Sequence, residues 1–200
     1  MTPNKPGDLL KLPEVDKSTP LFQLLTRRKS IRRYKDKPLG LNELSRILWA
    51  TYGFVNGRRT APSAGAIYPI EIYVVVKNVV DLKPGIYKYI EKNHELELVK
   101  EGDYSRKLAN ACLGQGCVLM APLNIVITAI PEKVIKWYGE RGYRYIYMEA
   151  GHIGQNIYLV ATEMNLGTVA VGAFNDDAVR EVLGLGREYM VLYIFPIGIP

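Results

Sequence analysis

The segment from about Arg144 to Asn165 has the periodicity of a helix, with apolar residues on almost every side. A helix that is apolar all round is typical of the interior of a protein rather than of its surface. Gly151 and Gly154 lie inside it, where each glycine costs about 1 kcal/mol relative to alanine. Close approach of another helix or of a bound molecule would offset that cost. The sequence therefore predicts a fold built around a buried central helix.

Strand patterns surround this helix along the chain. Glu71–Val76 and Asn124–Ala129 are nearly continuous apolar runs, which indicates buried central strands. Gly85–Ile90 and Glu95–Val99 alternate with period two and predict a hairpin with one wet face. We predict further strands over residues 167–172 and 189–195. Their mixture with helices, without strict βαβ alternation, predicts an α+β fold with helices covering a central sheet.

Capping residues mark the shorter helices. The sequence predicts a helix from Pro20 to about Arg28, and one capped by Asn42 and stopped by Gly53. We also predict helices from Asp103 toward Gly114 and from Asp176 to Leu183, the last capped by Asn175.

Length and composition predict the domain organisation. Two hundred residues with 48% hydrophobic content are enough for one ordinary domain with a full core. No run of about eighteen apolar residues occurs, so no membrane-spanning helix is expected. The first twenty residues carry prolines and mixed charges but lack the apolar core of a secretory signal. We therefore expect a cytoplasmic protein with an extended arm over residues 1–17 and one domain over residues 18–200.

The net charge and the positions of the cysteines and histidines argue against several functions. The net charge of +6 is moderate, and the cations outside residues 27–37 are dispersed among acids, which argues against nucleic-acid binding. Cys112 and Cys117 lie five apart in a segment predicted as helical, so steps of about 100° leave them on different faces. That placement favours packed thiols over a disulfide or a shared metal. With His94 in a polar turn and His152 inside a helix, we expect no metal site.

The basic segment 27–33 contains five cations and one hydroxyl. If it is extended, alternate residues place Arg28, Ser30 and Arg32 on one side and Ile31 toward the core. Arginine donates two parallel hydrogen bonds to phosphate oxygens, so this side has the chemistry to bind a phosphate. The alternative is a solvated basic patch at a helix C-terminus, and this segment alone favours the alternative.

Two further stretches contain mostly small residues. In 62–66 a planar ring could stack on Pro62, Ser63, Ala64 and Gly65 without meeting a bulky side chain. In 167–176 a strand ends in small residues just before a capped helix, where backbone amides are free to meet a ligand. The alternatives are an ordinary surface loop and an ordinary strand-to-helix turn. Together with the basic segment, both stretches suggest a phosphorylated aromatic cofactor.

These residues resemble the nitroreductase family of flavin enzymes, and within it the SagB-type dehydrogenase branch. Arg28-x-Ser30-x-Arg32 resembles the family's FMN-phosphate motif, and 60–69 resembles the branch's Pro-Ser-Ala-Gly-x-x-Tyr-Pro element along the flavin. Residues 138–156 look like the branch's central helix and its lead-in. Residues 166–174 resemble the segment whose backbone reaches the flavin N5 side.

The resemblance implies a nitroreductase-like fold with a mostly antiparallel sheet, in an intertwined homodimer that binds two FMN molecules at the subunit interface. The central helix would then lie between subunits. Hydride would pass from NAD(P)H through flavin N5 to a small acceptor such as a nitroaromatic or a quinone. No catalytic side chain is implied. The implied cofactor-binding residues are Arg28, Lys29, Ser30, Arg32, Pro62, Ser63, Ala64, Gly65, Gly172 and Ala173.

Two other functions are compatible with the same scaffold. Azoline-oxidising members of the branch carry a catalytic lysine–tyrosine pair, for which Lys136 and Tyr138 are the nearest candidates here, separated by Trp137. Their spacing argues against oxidation of peptide azolines to azoles, and packing of Tyr138 is the preferred interpretation. The other alternative is a flavin-binding module without turnover.

Overall fold

The computed structural model describes Lys5, Gly7 and residues 9–200. The strands are β1 (Phe54–Val55), β2 (Arg58–Arg59), β3 (Ile70–Val76), β4 (Gly85–Ile90), β5 (Glu95–Glu101), β6 (Leu123–Ala129), β7 (Gly167–Thr168) and β8 (Met190–Gly198). The helices are α1 (Pro20–Arg27), α2 (Leu41–Tyr52), α3 (Ser105–Ala111), α4 (Gly116–Met120), α5 (Glu132–Tyr138), α6 (Arg141–Glu163) and α7 (Asp176–Leu183).

Six of these strands form one sheet in the order β5-β4-β3-β6-β8-β7, and every neighbouring pair is antiparallel. All seven residues of β6 are buried because both faces of the sheet are covered. One face packs with α2 and α6, where Ile127 and Ile153 share a core. The other packs with α3, α4 and α7, where Val126 and Val179 share a second core. The predicted α+β fold with helices covering a central sheet is confirmed.

The central helix α6 is buried on one side only. Ile146, Ile153 and Ile157 are fully buried, whereas Tyr147 and Met148 are 58% and 53% exposed. Burial on all sides is therefore not found within one chain. The periodicity predicted the helix correctly. Its outward face carries large apolar side chains as well.

Two of these predicted helix caps are confirmed and one is wrong. Asn175 accepts a hydrogen bond from the Ala178 N–H at 2.9 Å, and α2 ends at Gly53 as predicted. Asn42 is not the N-cap of α2. That helix begins one residue earlier, and the side chain of Glu43 accepts a hydrogen bond from the Gly40 N–H.

The helix predicted from Asp103 toward Gly114 is α3, and the Asp103 side chain accepts a hydrogen bond from the Ser105 N–H at its start at 2.8 Å. The chain turns at Leu113 and Gly114, which have φ values of 57° and 74°, so α3 ends and α4 begins afresh. Cys112 follows α3 and Cys117 lies in α4; both are free and buried.

The predicted arm 1–17 lies partly outside the described residues, since residues 1–4, 6 and 8 are not described. Residues 9–18 form neither helix nor strand, and their side chains are exposed. In the described part of the chain, each helix is too short or too polar to cross a membrane.

Candidate functional site

The basic segment follows α1 in an extended conformation without joining the sheet as a strand. The Ile31 N–H donates to the Thr168 carbonyl at 2.8 Å, and its side chain packs against the second core. The Arg28 guanidinium lies 5.0 Å from the centroid of the Tyr158 ring, and Ser30 Oγ lies 2.9 Å from the Tyr158 hydroxyl. Arg28 and Ser30 therefore lie together on α6, as side-chain alternation predicted.

Lys29 and Arg32 are placed differently. Lys29 lines a separate cavity of about 340 Å³ together with Arg27 and Ile31. The side chain of Arg32 is exposed, and its charge lowers the pKa of the Cys117 thiol, although burial raises that pKa overall. The structure thus brings two of the four predicted phosphate residues onto one aromatic ring.

Tyr158 joins the basic segment to the segment before Gly172. Its hydroxyl accepts a hydrogen bond from the Ala170 N–H at 2.9 Å. Its ring contacts Phe195 edge-on at a centroid distance of 5.7 Å, and Phe195 contacts Tyr193 at the same distance. A Cβ on Gly172 would lie 3.6 Å from the Tyr193 ring. A row of three rings therefore underlies both segments.

Gly172 and its neighbour Ala173 are exposed above that row. The Ala173 carbonyl accepts a hydrogen bond from Gln115 Nε2 at 2.9 Å, which fixes the turn before α7. Tyr158 was not among the predicted site residues. Its partners lie 12 and 128 residues away along the chain, so no local pattern reports them.

The small-residue loop forms a single 3₁₀ turn over Ala64–Ala66. Gly65 has φ of 58°, in the left-handed region that favours glycine. A Cβ at this position would also lie 2.6 Å from the Tyr138 hydroxyl. Ser63 Oγ accepts a hydrogen bond from the Tyr68 N–H at 3.0 Å, which closes the loop. Pro62 is exposed and lines a cavity of about 510 Å³ beside the loop.

The weak catalytic candidates separate in the structure. Tyr138 places its hydroxyl over Gly65, and its ring meets Tyr145 edge-on at 5.0 Å. Lys136 instead lies 5.8 Å from the centroid of the Trp137 ring. Tyr138 therefore packs against an aromatic neighbour of the same chain and also touches the loop.

A buried carboxyl lies behind the same loop. Glu149, on α6, is 2% exposed, and the Tyr52 hydroxyl donates to its Oε1 at 2.6 Å. The Ser63 hydroxyl also lies beside this carboxyl, where it lowers the pKa of Glu149. Burial raises the pKa of Glu149 above its ordinary value, although hydrogen bonds from Ser63 and Tyr52 and the charge of Arg59 oppose the rise.

Arg59 lies next to this group with its side chain only 8% exposed. Its guanidinium forms an ion pair with Glu91. It also lies within 5.7 Å of the ring centroids of Tyr52, Phe54 and Tyr68. This arginine is therefore held by the core of the protein.

His94 is exposed, yet both ring nitrogens have partners. Tyr89 OH lies 2.7 Å from Nδ1, and Ser45 Oγ lies 2.7 Å from Nε2. Sequence reasoning placed this histidine in a solvated turn, which accounts for its exposure but not for these long-range contacts.

The sheet order and the helices on both faces define an α+β protein of the nitroreductase-like class. The model of the Nitroreductase family matches residues 25–199, and the chain belongs to this family. It is thus a nitroreductase-family oxidoreductase.

Two relatives and two solved structures support this assignment. A protein of Methanocaldococcus jannaschii that bears the name nitroreductase is 44% identical over 191 residues, which cover 94% of this chain and 95% of that protein. The microcin B17-processing protein McbC of Escherichia coli is 31% identical over 136 residues, or 66% of this chain and 50% of McbC.

Among solved structures, a protein of Anabaena variabilis also named as a nitroreductase has a TM-score of 0.82 and 34% identity. The match covers 90% of this chain but only 38% of that chain. The Escherichia coli microcin synthetase McbBCD complex with truncated pro-MccB17 contains a chain with a TM-score of 0.77 at 23% identity. That match covers 100% of this chain and 78% of the other, and it shows the shared fold.

Proposed function

We propose that this protein is an FMN-dependent oxidoreductase that transfers hydride from NAD(P)H to a small electron-poor acceptor, such as a nitroaromatic or a quinone. The convergence of three distant segments on α6 carries the proposal. Tyr158 contacts Ser30 and Ala170, and Glu149 contacts Ser63. Two of the predicted phosphate residues, Arg28 and Ser30, and both small-residue stretches therefore share one support.

The residues present fit this cofactor. Arg28 and Ser30, with Arg32 from the same segment, would hold the phosphate. The backbone of Pro62–Gly65 would lie along the ring, because Gly65 has no side chain and lies in the left-handed region. Beside this loop, the Thr60 Oγ1 is buried without a hydrogen-bond partner among the described residues, so a polar group remains available there.

The open turn at Gly172 and Ala173 would offer backbone amides to the other side of the ring. Bound FMN supplies hydride acceptance and donation. The chain binds the phosphate, orients the ring and excludes water behind it with Tyr158, Phe195 and Tyr193. The reductive half-reaction requires no acid or base from the protein.

We also propose an intertwined homodimer. Tyr147 and Met148 on α6 and Trp137 on α5 expose more than half of their surface, and every residue of α1 is at least partly exposed. Exposed apolar patches of this kind mark interaction surfaces. Light scattering on purified protein should give twice the chain mass of 22.5 kDa, and a monomeric mass would contradict the dimer.

Reconstitution tests the cofactor. Protein incubated with FMN and desalted should retain roughly one flavin per chain, and Arg32→Ala should retain less than the matched control Arg33→Ala. Equal retention by the two variants would contradict the phosphate assignment. Stopped-flow mixing with NADH or NADPH should bleach the flavin absorbance; retention of FMN without bleaching would favour a flavin-binding module without turnover.

Oxidation of peptide azolines to azoles is the second candidate, and two observations favour it. McbC is named as a microcin-processing protein, and the Tyr138 hydroxyl lies over Gly65. The match with McbC covers half the length of McbC. Turnover of an azoline peptide that is lost in Tyr138→Phe would support this candidate, and absence of turnover with every partner tested would exclude it.

A further inference from the structure

Glu149 links three elements that meet behind the small-residue loop. Its carboxyl is 2% exposed, and Tyr52 of α2 donates to Oε1 at 2.6 Å. The Ser63 hydroxyl, in the loop, also lies beside it. Ser63 Oγ in turn accepts from the Tyr68 N–H. One carboxyl on α6 therefore holds both α2 and the loop that would lie along the flavin ring.

Within the described part of the chain, no cation pairs with this carboxyl. The nearest guanidinium belongs to Arg59, which is paired with Glu91. Among the described residues, Glu149 takes part in no ion pair. A buried carboxylate without a cationic partner is costly, whereas a neutral carboxyl with two hydroxyl partners is not. Burial raises the pKa of Glu149 above its ordinary value, which agrees with the lower cost of the neutral carboxyl.

We infer that Glu149 carries a proton in the folded protein at neutral pH and is a positioning residue, which fixes the Ser63 hydroxyl and with it the loop Pro62–Gly65. A protonated carboxyl can accept from Tyr52 through Oε1 and still donate its own O–H to the neighbouring Ser63 hydroxyl. Ser63 still has a lone pair for the Tyr68 N–H. The inference rests on the proposed function only where it assigns the loop to flavin.

The protonation state is tested without flavin. A carboxyl whose pKa is raised on folding contributes stability that is fully present below its ordinary value of 4.5 and is lost as pH rises through the folded pKa. Glu149→Gln imitates the neutral acid but cannot titrate. Urea unfolding of FMN-free protein should therefore show wild type losing stability relative to Glu149→Gln from about pH 4.5 upward, with the loss continuing past neutral pH.

The charged and titratable groups that face Glu149 are Tyr52 and Arg59, and Glu91 lies behind them as the partner of Arg59. All three are unchanged in both proteins, so their titration cancels. Glu163→Gln, an exposed position on the same helix, is the matched control and should show no such trend. A difference between wild type and Glu149→Gln that is independent of pH, or that is complete below neutral pH, would overturn the inference.

The positioning role is tested by FMN titration at neutral pH, followed by flavin fluorescence. Glu149→Gln should bind FMN within about twofold of wild type, whereas Ser63→Ala should bind about fivefold more weakly because one hydrogen bond is lost. Equal weakening in both variants would refute the neutral carboxyl while leaving the flavin site intact. Absence of FMN binding in wild type would refute the proposed function but not the unfolding result.

Discussion

Phe195 of β8 lies so close to Gly154 of α6 that a Cβ at position 154 would be 2.9 Å from the ring Cζ. Real Cβ atoms almost never approach another atom so closely. Phe195 is 1% exposed and is held on its other sides by Tyr158 and Tyr193, so the ring has little room to move. The missing side chain at Gly154 therefore sets the distance between the central helix and the sheet within one chain.

Gly154→Ala should lower the free energy of unfolding by up to about 2 kcal/mol. Overpacking costs about 1–3 kcal/mol, and the better helix propensity of alanine returns about 1 kcal/mol. Gly151→Ala is the matched control, because a Cβ there meets no described atom within 4 Å. It should stabilise the protein by up to about 1 kcal/mol in urea unfolding. A loss of stability in Gly151→Ala would instead indicate that a second chain packs at this position.

Removal of the Tyr158 hydroxyl should weaken both fold and flavin binding. Tyr158→Phe leaves the Ala170 N–H and the Ser30 hydroxyl without their partner, so we expect a loss of about 1–2 kcal/mol in the free energy of unfolding. FMN affinity should fall about fivefold, since Ser30 would no longer be oriented. Fluorescence titration and urea unfolding measure the two effects.

Tyr147→Phe on the same helix is the control for this substitution, because Tyr147 is 58% exposed. It should leave FMN affinity unchanged. Wild-type affinity in Tyr158→Phe would show that the ring alone supports the basic segment, through its contact with Arg28.

Local chemistry made much of the fold predictable. The strands β3 and β6 were predicted to within one residue, because continuous apolar runs report burial on both faces. Asn175 was predicted as a cap because its partner lies three residues away. The start of α2 was missed because Glu43 supplies the capping side chain from inside the helix and Gly40 supplies only its N–H.

The site was predictable only in part, because a sequence pattern reports contacts between residues that are close along the chain. The pattern around Ser30 and the small residues near Gly65 are local in sequence, so both stretches were recognised. Tyr158 and Glu149 were not, because their partners lie between 12 and 128 positions away along the chain. Neither residue stands out from the apolar helix in which it lies until the fold brings its partners to it.

Arg59 should prove important for stability, although an arginine between two turns looks like a surface residue in the sequence. Arg59→Ala leaves Glu91 unpaired and empties the space between Tyr52 and Tyr68. We expect a loss of about 2–3 kcal/mol, below the usual range for breaking a buried pair because Glu91 is 27% exposed.

Lys83→Ala provides the comparison for this ion pair. Lys83 pairs with Glu101, and both side chains are more than 60% exposed. Its removal should cost less than about 1 kcal/mol in urea unfolding. Similar losses in Arg59→Ala and Lys83→Ala would contradict the structural role assigned to Arg59.

The two cysteines should be unreactive in the folded protein. Burial raises the pKa of the Cys112 thiol to about 12, with a contribution from Cys117, so almost no thiolate exists at neutral pH. Burial raises the pKa of Cys117 as well, although hydrogen bonds and the charge of Arg32 oppose it. Iodoacetamide at neutral pH should therefore label neither thiol in native protein and both in urea, as measured by intact mass. Rapid native labelling of Cys112 would show that the core formed by α3 and α4 opens far more readily than its packing indicates.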